Sequence, residues 1–110
     1  MLDKTWKKMY EEAKNVQEFR QISDHLEAGG VAAAVLSNTG RIYTGVCIDT
    51  ACTLGVCAER NALFNMITCG ENHFKRVLAI MSDGKNGAPC GACREFMAQL
   101  MEGHYQDVEV

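Results

Sequence analysis

The run Val31-Ala-Ala-Ala-Val-Leu36, continued through Asn38-Thr39-Gly40 into Arg41-Ile-Tyr-Thr-Gly-Val-Cys-Ile48, sets the architecture. Six apolar residues in a row, most of them small, read as a short strand buried on both faces. Asn-Thr-Gly is turn chemistry, and the β-formers after it supply a second strand, so the segment predicts a β-hairpin. Such a strand needs cover on each side, and the flanking sequence supplies helices.

Upstream, residues 3–25 read as one helix, with Trp6, Met9, Tyr10, Ala13 and Val16 near 3.6-residue spacing and Lys, Glu and Gln on the other face. Gly29-Gly30 ends that pattern. Downstream, an irregular stretch over 49–56 leads into a second helix from Cys57, striped by Ala58, Ala62, Leu63, Met66 and Ile67 and capped by Gly70. Residues 76–81 predict a buried strand and 83–87 a loop. A third helix runs from about Cys90 to Met101, where Gly103 stops it, and 107–110 begin one more strand. The order α-ββ-α-β-α-β predicts an α/β fold, a mixed sheet with helices packed on it. A strand only begun at residue 107 reads as a single domain whose C-terminal end lies past residue 110.

With 110 residues, 47% hydrophobic and 23% charged, the chain suits one ordinary globular domain. It has neither an apolar run long enough to span a membrane nor a signal-peptide pattern at its start, so a cytoplasmic protein is expected. The net charge is −3, and no basic block stands out. A nucleic-acid backbone is therefore a poor partner and a small molecule a better one. Six cysteines without an export signal point to metal or catalysis in preference to disulfides.

Three of them occupy comparable places. Cys57 opens one predicted helix, and Cys90 and Cys93 lie in the first turn of another. Helix N-termini stabilise thiolates through free N–H groups and partial positive charge. A Cys-x-x-Cys pair with one distant Cys gives zinc three protein ligands, leaving the fourth tetrahedral position to water, which is the catalytic arrangement. Glu59, two residues after Cys57, is placed to carry a proton between that water and a substrate nitrogen. Three thiolates leave a zinc site with one excess negative charge, which Arg60 and the two helix N-termini can offset.

Cys57-Ala58-Glu59-Arg60 followed by Pro89-Cys90-Gly91-Ala92-Cys93-Arg94 resembles the cytidine deaminase family of the small three-cysteine type. The similarity extends from about Val31 through 40–45 to Arg94. It implies Cys57, Cys90 and Cys93 as ligands of one zinc ion per chain and Glu59 as the catalytic proton shuttle. Backbone groups of Ala58 would hold the pyrimidine edge. It further implies a three-layer α-β-α sandwich, a homotetramer, and hydrolytic deamination of a cytosine nucleoside in pyrimidine salvage.

The pattern fails at the sugar. The family's Asn-x-Glu, which contacts the ribose, aligns with Cys47-Ile48-Asp49, and its nucleoside-packing aromatic residue aligns with Gly29. Residues 49–57 are also about one residue shorter. Cysteine is a poor hydrogen-bond partner beside Asn, and Asp is one methylene shorter than Glu. These departures move the chain toward the blasticidin S deaminase branch. They leave Cys47 and Asp49 as candidate substrate contacts.

Other readings stand beside these. A structural zinc site closed by Cys52 or Cys69 would make the chain a non-catalytic module, though it leaves Glu59 without a role. A thioredoxin-like redox pair at Cys90 and Cys93 leaves Cys57 without one. Cys47, Cys52 and Cys69 otherwise read as packed or partly exposed thiols. Arg94, His25, His73 and His104 read as surface residues, and Trp6, Phe64 and Phe96 as core.

Overall fold

The computed structural model describes residues 4–51, 54–83, 86–87, 90–102 and 108–110. Its elements are α1 (Lys4–Val16), β1 (Arg20–Ser23), β2 (Leu26–Ser37), β3 (Ile42–Thr50), α2 (Ala58–Thr68), β4 (Phe74–Ile80), β5 (Asn86–Gly87) and α3 (Gly91–Leu100). The hairpin is as predicted. β2 and β3 pair antiparallel from Leu26 with Thr50 to Leu36 with Ile42, and Ser37 N–H closes the turn on Arg41 O at 2.8 Å. Along the other edge of β2, β1 pairs residues 26–28 and β4 pairs residues 32–37, both antiparallel.

Alternation along β2 divides the core into two layers. Ala32, Ala34 and Leu36 pack with Met9 and Ala13 of α1 and with Leu78 and Ile80 of β4. Ala33 and Val35 face the other way, against Ala62, Leu63 and Met66 of α2 and Cys93 and Met97 of α3. The result is the expected α-β-α sandwich, and it accounts for the alanines. Small side chains on both faces let helices approach the sheet closely. Gly45 on β3 shows how close, because a Cβ there would run into the backbone of Asn61 and Ala62. Amide side chains tie the same layers, with Asn61 Nδ2 donating to Val46 O at 3.0 Å and Asn65 Nδ2 to Thr44 O at 3.4 Å.

Several boundaries differ from the sequence reading. The first helix ends at Val16, and Arg20–Ser23 form a strand whose residues are all exposed. Phe19 and Ile22 keep near-helical spacing past Val16 but are exposed and meet no core, so pairing with β2 prevails. β2 starts at Leu26 and not Val31, carrying Gly29-Gly30 inside it as a register irregularity between Ala28 and Ala32. Gly29 has φ +89°, and a Cβ there would strike the Glu18 carbonyl, so the position excludes larger residues. β4 begins two residues early, at Phe74, and Asn86–Gly87 form a short fifth strand where a loop was expected.

Helix α2 ends as anticipated at Gly70, whose N–H reaches Ile67 O while the Glu71 N–H reaches Met66 O, the paired bonds of a Schellman cap. Near the end of the chain, Glu109 bridges Arg76 in parallel, with Val77 N–H on Glu109 O at 2.9 Å and Glu109 N–H on Lys75 O at 2.8 Å. That one parallel bridge makes the pairing mixed. The earlier part of this expected strand, with Gly103 and His104, lies outside the described residues. Phe64 corrects its expectation: it is 41% exposed and meets Phe96 edge-on, centroids 5.3 Å apart, on the outer side of α2 and α3. Trp6 is half-buried beside the α1 core, with the Arg76 guanidinium 4.8 Å over its ring.

Candidate active site

Two devices bring the site together at one end of the sheet. After β3 the chain doubles back, and Ile48 and Val56 exchange both backbone hydrogen bonds at 2.9 Å. This puts Cys57 over the end of β3 as the N-cap of α2. The second device is the matching placement of Cys90 as N-cap of α3, with Cys93 one turn inside. Neither cap closes the usual side-chain hydrogen bond on its helix, although the Cys93 N–H lies near enough to the Cys90 sulfur to act on its charge. Both thiols are thus left to the space between the helix starts.

The three sulfurs converge as the spacing predicted. Cys57 Sγ lies 3.3 Å from Cys90 Sγ, Cys90 Sγ lies 3.5 Å from Cys93 Sγ, and all three fall within 4.8 Å of one another. Thiolates ~2.3 Å from a tetrahedral zinc ion would stand about 3.8 Å apart, so the donor set fits the metal in type and spacing. Cys93 is buried, Cys57 intermediate and Cys90 exposed, which leaves one side of the cluster open. Cys69 cannot close it. Cys69 caps the far end of α2, twelve residues from Cys57, about 18 Å along a helix. Cys52 lies outside the described residues, as does Pro89.

The electrostatics follow from burial and helix ends. The Cys93 N–H, chief among several donors, holds the Cys90 thiol below its usual range. Burial, with the Cys90 contact and the negative charge of Glu59 added, pushes the Cys93 thiol up to about 12. Metal must displace that proton to bind there. Arg60 turns toward the cluster, Nη2 to Cys57 Sγ 3.7 Å, and this contact is the main cause that raises the guanidinium above its ordinary value. Glu59 is buried, 6% exposed, in the first turn of α2, near enough to Cys93 to act on its charge.

These groups line a cleft of about 520 Å³. Its wall takes in Cys57, Ala58, Glu59, Arg60 and Cys90, with Val31 and Met81 from the sheet and 47–50 from β3. Every sequence-nominated site residue except Cys93 therefore lines one cavity, and Cys93 lies directly behind Cys90. Arg94 is exposed, as are His25 and His73.

The sequence reading missed Gln17. Its Nε2 donates to Gly30 O at 3.0 Å, Ile80 O at 3.2 Å and Met81 O at 3.0 Å, tying β2 and β4 where Val31 and Met81 form the cleft rim. One residue past the end of α1, it carried no periodic signal.

Comparison with known proteins agrees with the fold and the cluster. A family profile described as "Cytidine and deoxycytidylate deaminase zinc-binding region" matches residues 4–105. The chain belongs to this family of zinc-binding deaminase domains. It is 40% identical over 75 residues to a cytidine deaminase of Sporosarcina psychrophila, covering 66% of this chain and 54% of that protein. To a probable cytidine deaminase of Dictyostelium discoideum it is 36% identical over 93 residues, covering 81% and 60%. The chain thus spans little more than half the length of these curated relatives. Among solved structures, the cytidine deaminase of Mycobacterium leprae superposes with a TM-score of 0.77 at 23% identity, covering 96% of this chain and 86% of that one. That of Burkholderia pseudomallei gives 0.67 at 31% identity, covering 84% and 73%.

Proposed function

We propose that the chain is a zinc-dependent hydrolytic deaminase of a free cytosine-type nucleoside, converting cytidine or deoxycytidine to the uracil nucleoside and ammonia. The observation that carries the reading is a buried carboxylate, Glu59, beside three converging sulfurs at the wall of an open cleft. Zinc held by Cys57, Cys90 and Cys93 supplies the acidification of a water molecule. Glu59 would carry one proton from that water to the ring nitrogen, and a second, taken from the hydroxyl added to the ring carbon, to the departing amine. Its burial shields it from bulk water and its place on α2 holds it beside the metal ligands. The Ala58 backbone lines the pyrimidine edge of the cleft, and Asp49 faces the sugar.

A nucleoside suits the lining better than a nucleotide. The charged groups among the described lining residues are Asp49, Glu59 and Arg60, and Arg60 is engaged with Cys57. Among the described lining residues a phosphate would meet two carboxylates and no unengaged cation. The same chemistry suits another aminopyrimidine, such as a blasticidin S-like substrate, because Cys47 and Asp49 replace the family's ribose contacts. Cysteines free of disulfides among the described residues support a reducing, cytoplasmic setting. Exposed Phe19, Ile22 and Leu54 support assembly into a homotetramer, as the family resemblance implies. Among the described residues no helix is long and apolar enough to cross a membrane.

The test is ammonia release from cytidine, deoxycytidine, cytosine and blasticidin S, with zinc content measured on the same sample. Turnover of a cytosine nucleoside at one zinc per chain is expected. A zinc-loaded protein inert toward all four substrates would leave the non-catalytic module as the better reading.

A further inference from the structure

We infer that Cys47 is a positioning residue for Asp49 and not itself a substrate contact. The inference rests on the deaminase reading and deepens it at the sugar end of the cleft. Cys47 and Asp49 are two apart on β3, so their side chains leave the same face of the sheet. The Cys47 sulfur is engaged on both sides. It accepts the Val31 N–H at 3.3 Å, and its S–H points to Asp49 Oδ2 at 3.7 Å, an ordinary length for a sulfur donor.

A thiol has one donor and a weakly accepting sulfur; here the donor goes to Asp49 and the sulfur already accepts a backbone N–H within the wall. Cys47 is only 9% exposed and packs with Ala58 under α2, whereas Asp49 is exposed at the cleft. Both residues line the cleft, but a nucleoside sugar meets the exposed carboxylate before the largely covered thiol. Val31 belongs to the same wall, so a single sulfur fixes β2, β3 and the Asp49 rotamer relative to one another. The carboxylate is acceptor-only and held in place. It selects substituents that donate hydrogen bonds, hydroxyl or ammonium, which an amide at position 47 would not do so exclusively.

The experiment measures uridine binding by calorimetry and cytidine turnover on the zinc-loaded protein. Cys47→Ala is expected to raise the uridine Kd and the cytidine KM about threefold to tenfold, the worth of one hydrogen bond, with kcat within about twofold. Cys47→Ser keeps a donor toward Asp49 and an acceptor for Val31, and should stay near wild type. Asp49→Asn should raise Kd at least as much as Cys47→Ala, and combining the two should add little. Should Cys47→Ala fail to fold, Cys47→Val removes the donor and the acceptor while filling the site with a somewhat larger apolar side chain, and carries the same expectations.

Additive effects, failure of serine to rescue, or a loss confined to kcat and zinc content would each overturn the inference. A wild-type protein that binds uridine without deaminating cytidine overturns the deaminase reading, and the Kd pattern then decides Cys47 by itself. One that neither binds nor turns over a nucleoside overturns both.

Discussion

The Arg60 guanidinium reaches back across the first turn of α2 to the sulfur of Cys57, Nη2 to Sγ 3.7 Å, so a cation and a candidate metal ligand share one helix start. The Arg60 Nε is buried without a hydrogen-bond partner among the described residues, so the side chain is held by its position at the cluster more than by a saturated network. A cation there favours thiolate over thiol.

Replacing Arg60 should therefore weaken metal retention through proton competition. In Arg60→Ala the sulfur cluster loses its neighbouring cation, so zinc competes less well with protons for the three sulfurs. We expect the pH at which half the zinc is lost to a chelator to move upward by about 1 unit. Arg60→Lys should restore only part of the shift, because a single ammonium cannot match the planar fork. An unmoved midpoint in Arg60→Ala contradicts the charge-offset role.

Glu59 should separate metal binding from chemistry. Glu59→Ala is expected to keep about one zinc per chain while deamination falls ~10²- to 10⁴-fold, the range for losing a proton carrier. Metal analysis and ammonia release on one preparation check both halves. Zinc lost together with activity would make Glu59 part of the metal site instead.

The Gln17 clamp should matter to the rim. Three carbonyls, on β2, at the end of β4 and just past it, share its one amide nitrogen, so Gln17→Ala leaves them with fewer partners, two of them partly buried. A loss of about 1–2 kcal/mol is expected, read as a drop in Tm of roughly 5–15 °C for a domain of this size. Gln17→Glu should fare no better, because its carboxylate faces carbonyl oxygens.

Acid should loosen the far end of the hairpin. Glu71 accepts hydrogen bonds from the Thr39 hydroxyl at 2.6 Å and from the Tyr43 hydroxyl, and the Thr39 bond is the first cause that holds its carboxyl below the usual range. A carboxyl lowered in the folded state stabilises the protein above its unfolded value of ~4.3 and loses that contribution as pH falls through the folded value. Tyr43 is raised, chiefly by the same hydrogen bond to Glu71. Its contribution is present below ~10 and is lost as pH rises through its folded value. Glu71→Gln should thus lower Tm near neutrality and converge on wild type toward pH 3. A gap that stays constant down to pH 3 would assign the effect to packing alone.

The chemistry was legible early because it resides in local signals. Cys57 and Glu59 share one helix turn, Cys90 and Cys93 another, and thiolates at helix starts need no tertiary information to suggest zinc. The hairpin was legible for the same reason, since Asn38-Thr39-Gly40 between β-formers states its own turn. The first helix was less so. Residues 17–25 are polar enough to continue a helix, and only an available β2 edge makes Arg20–Ser23 a strand. Phe64 misled because an aromatic ring counts as core by residue type, although it lies off the stripe of Ala58, Ala62, Leu63, Met66 and Ile67. The helix face it occupies is covered only edge-on by Phe96.

By itself the sequence nominated the residues to bind metal and carry a proton, and showed that alanines on both faces of β2 demand two helical layers. These properties belong to side-chain chemistry and short-range spacing. Only the tertiary structure decided what spans the chain. It placed Cys57 against Cys90, 33 residues away, to complete the sulfur cluster. It set Gln17 across two strands at the cleft rim. It also set Cys47 between Val31 and Asp49, with a hydrogen bond to each. The physical reason is shared: such contacts depend on strand register and helix approach, which are set by packing over the whole domain.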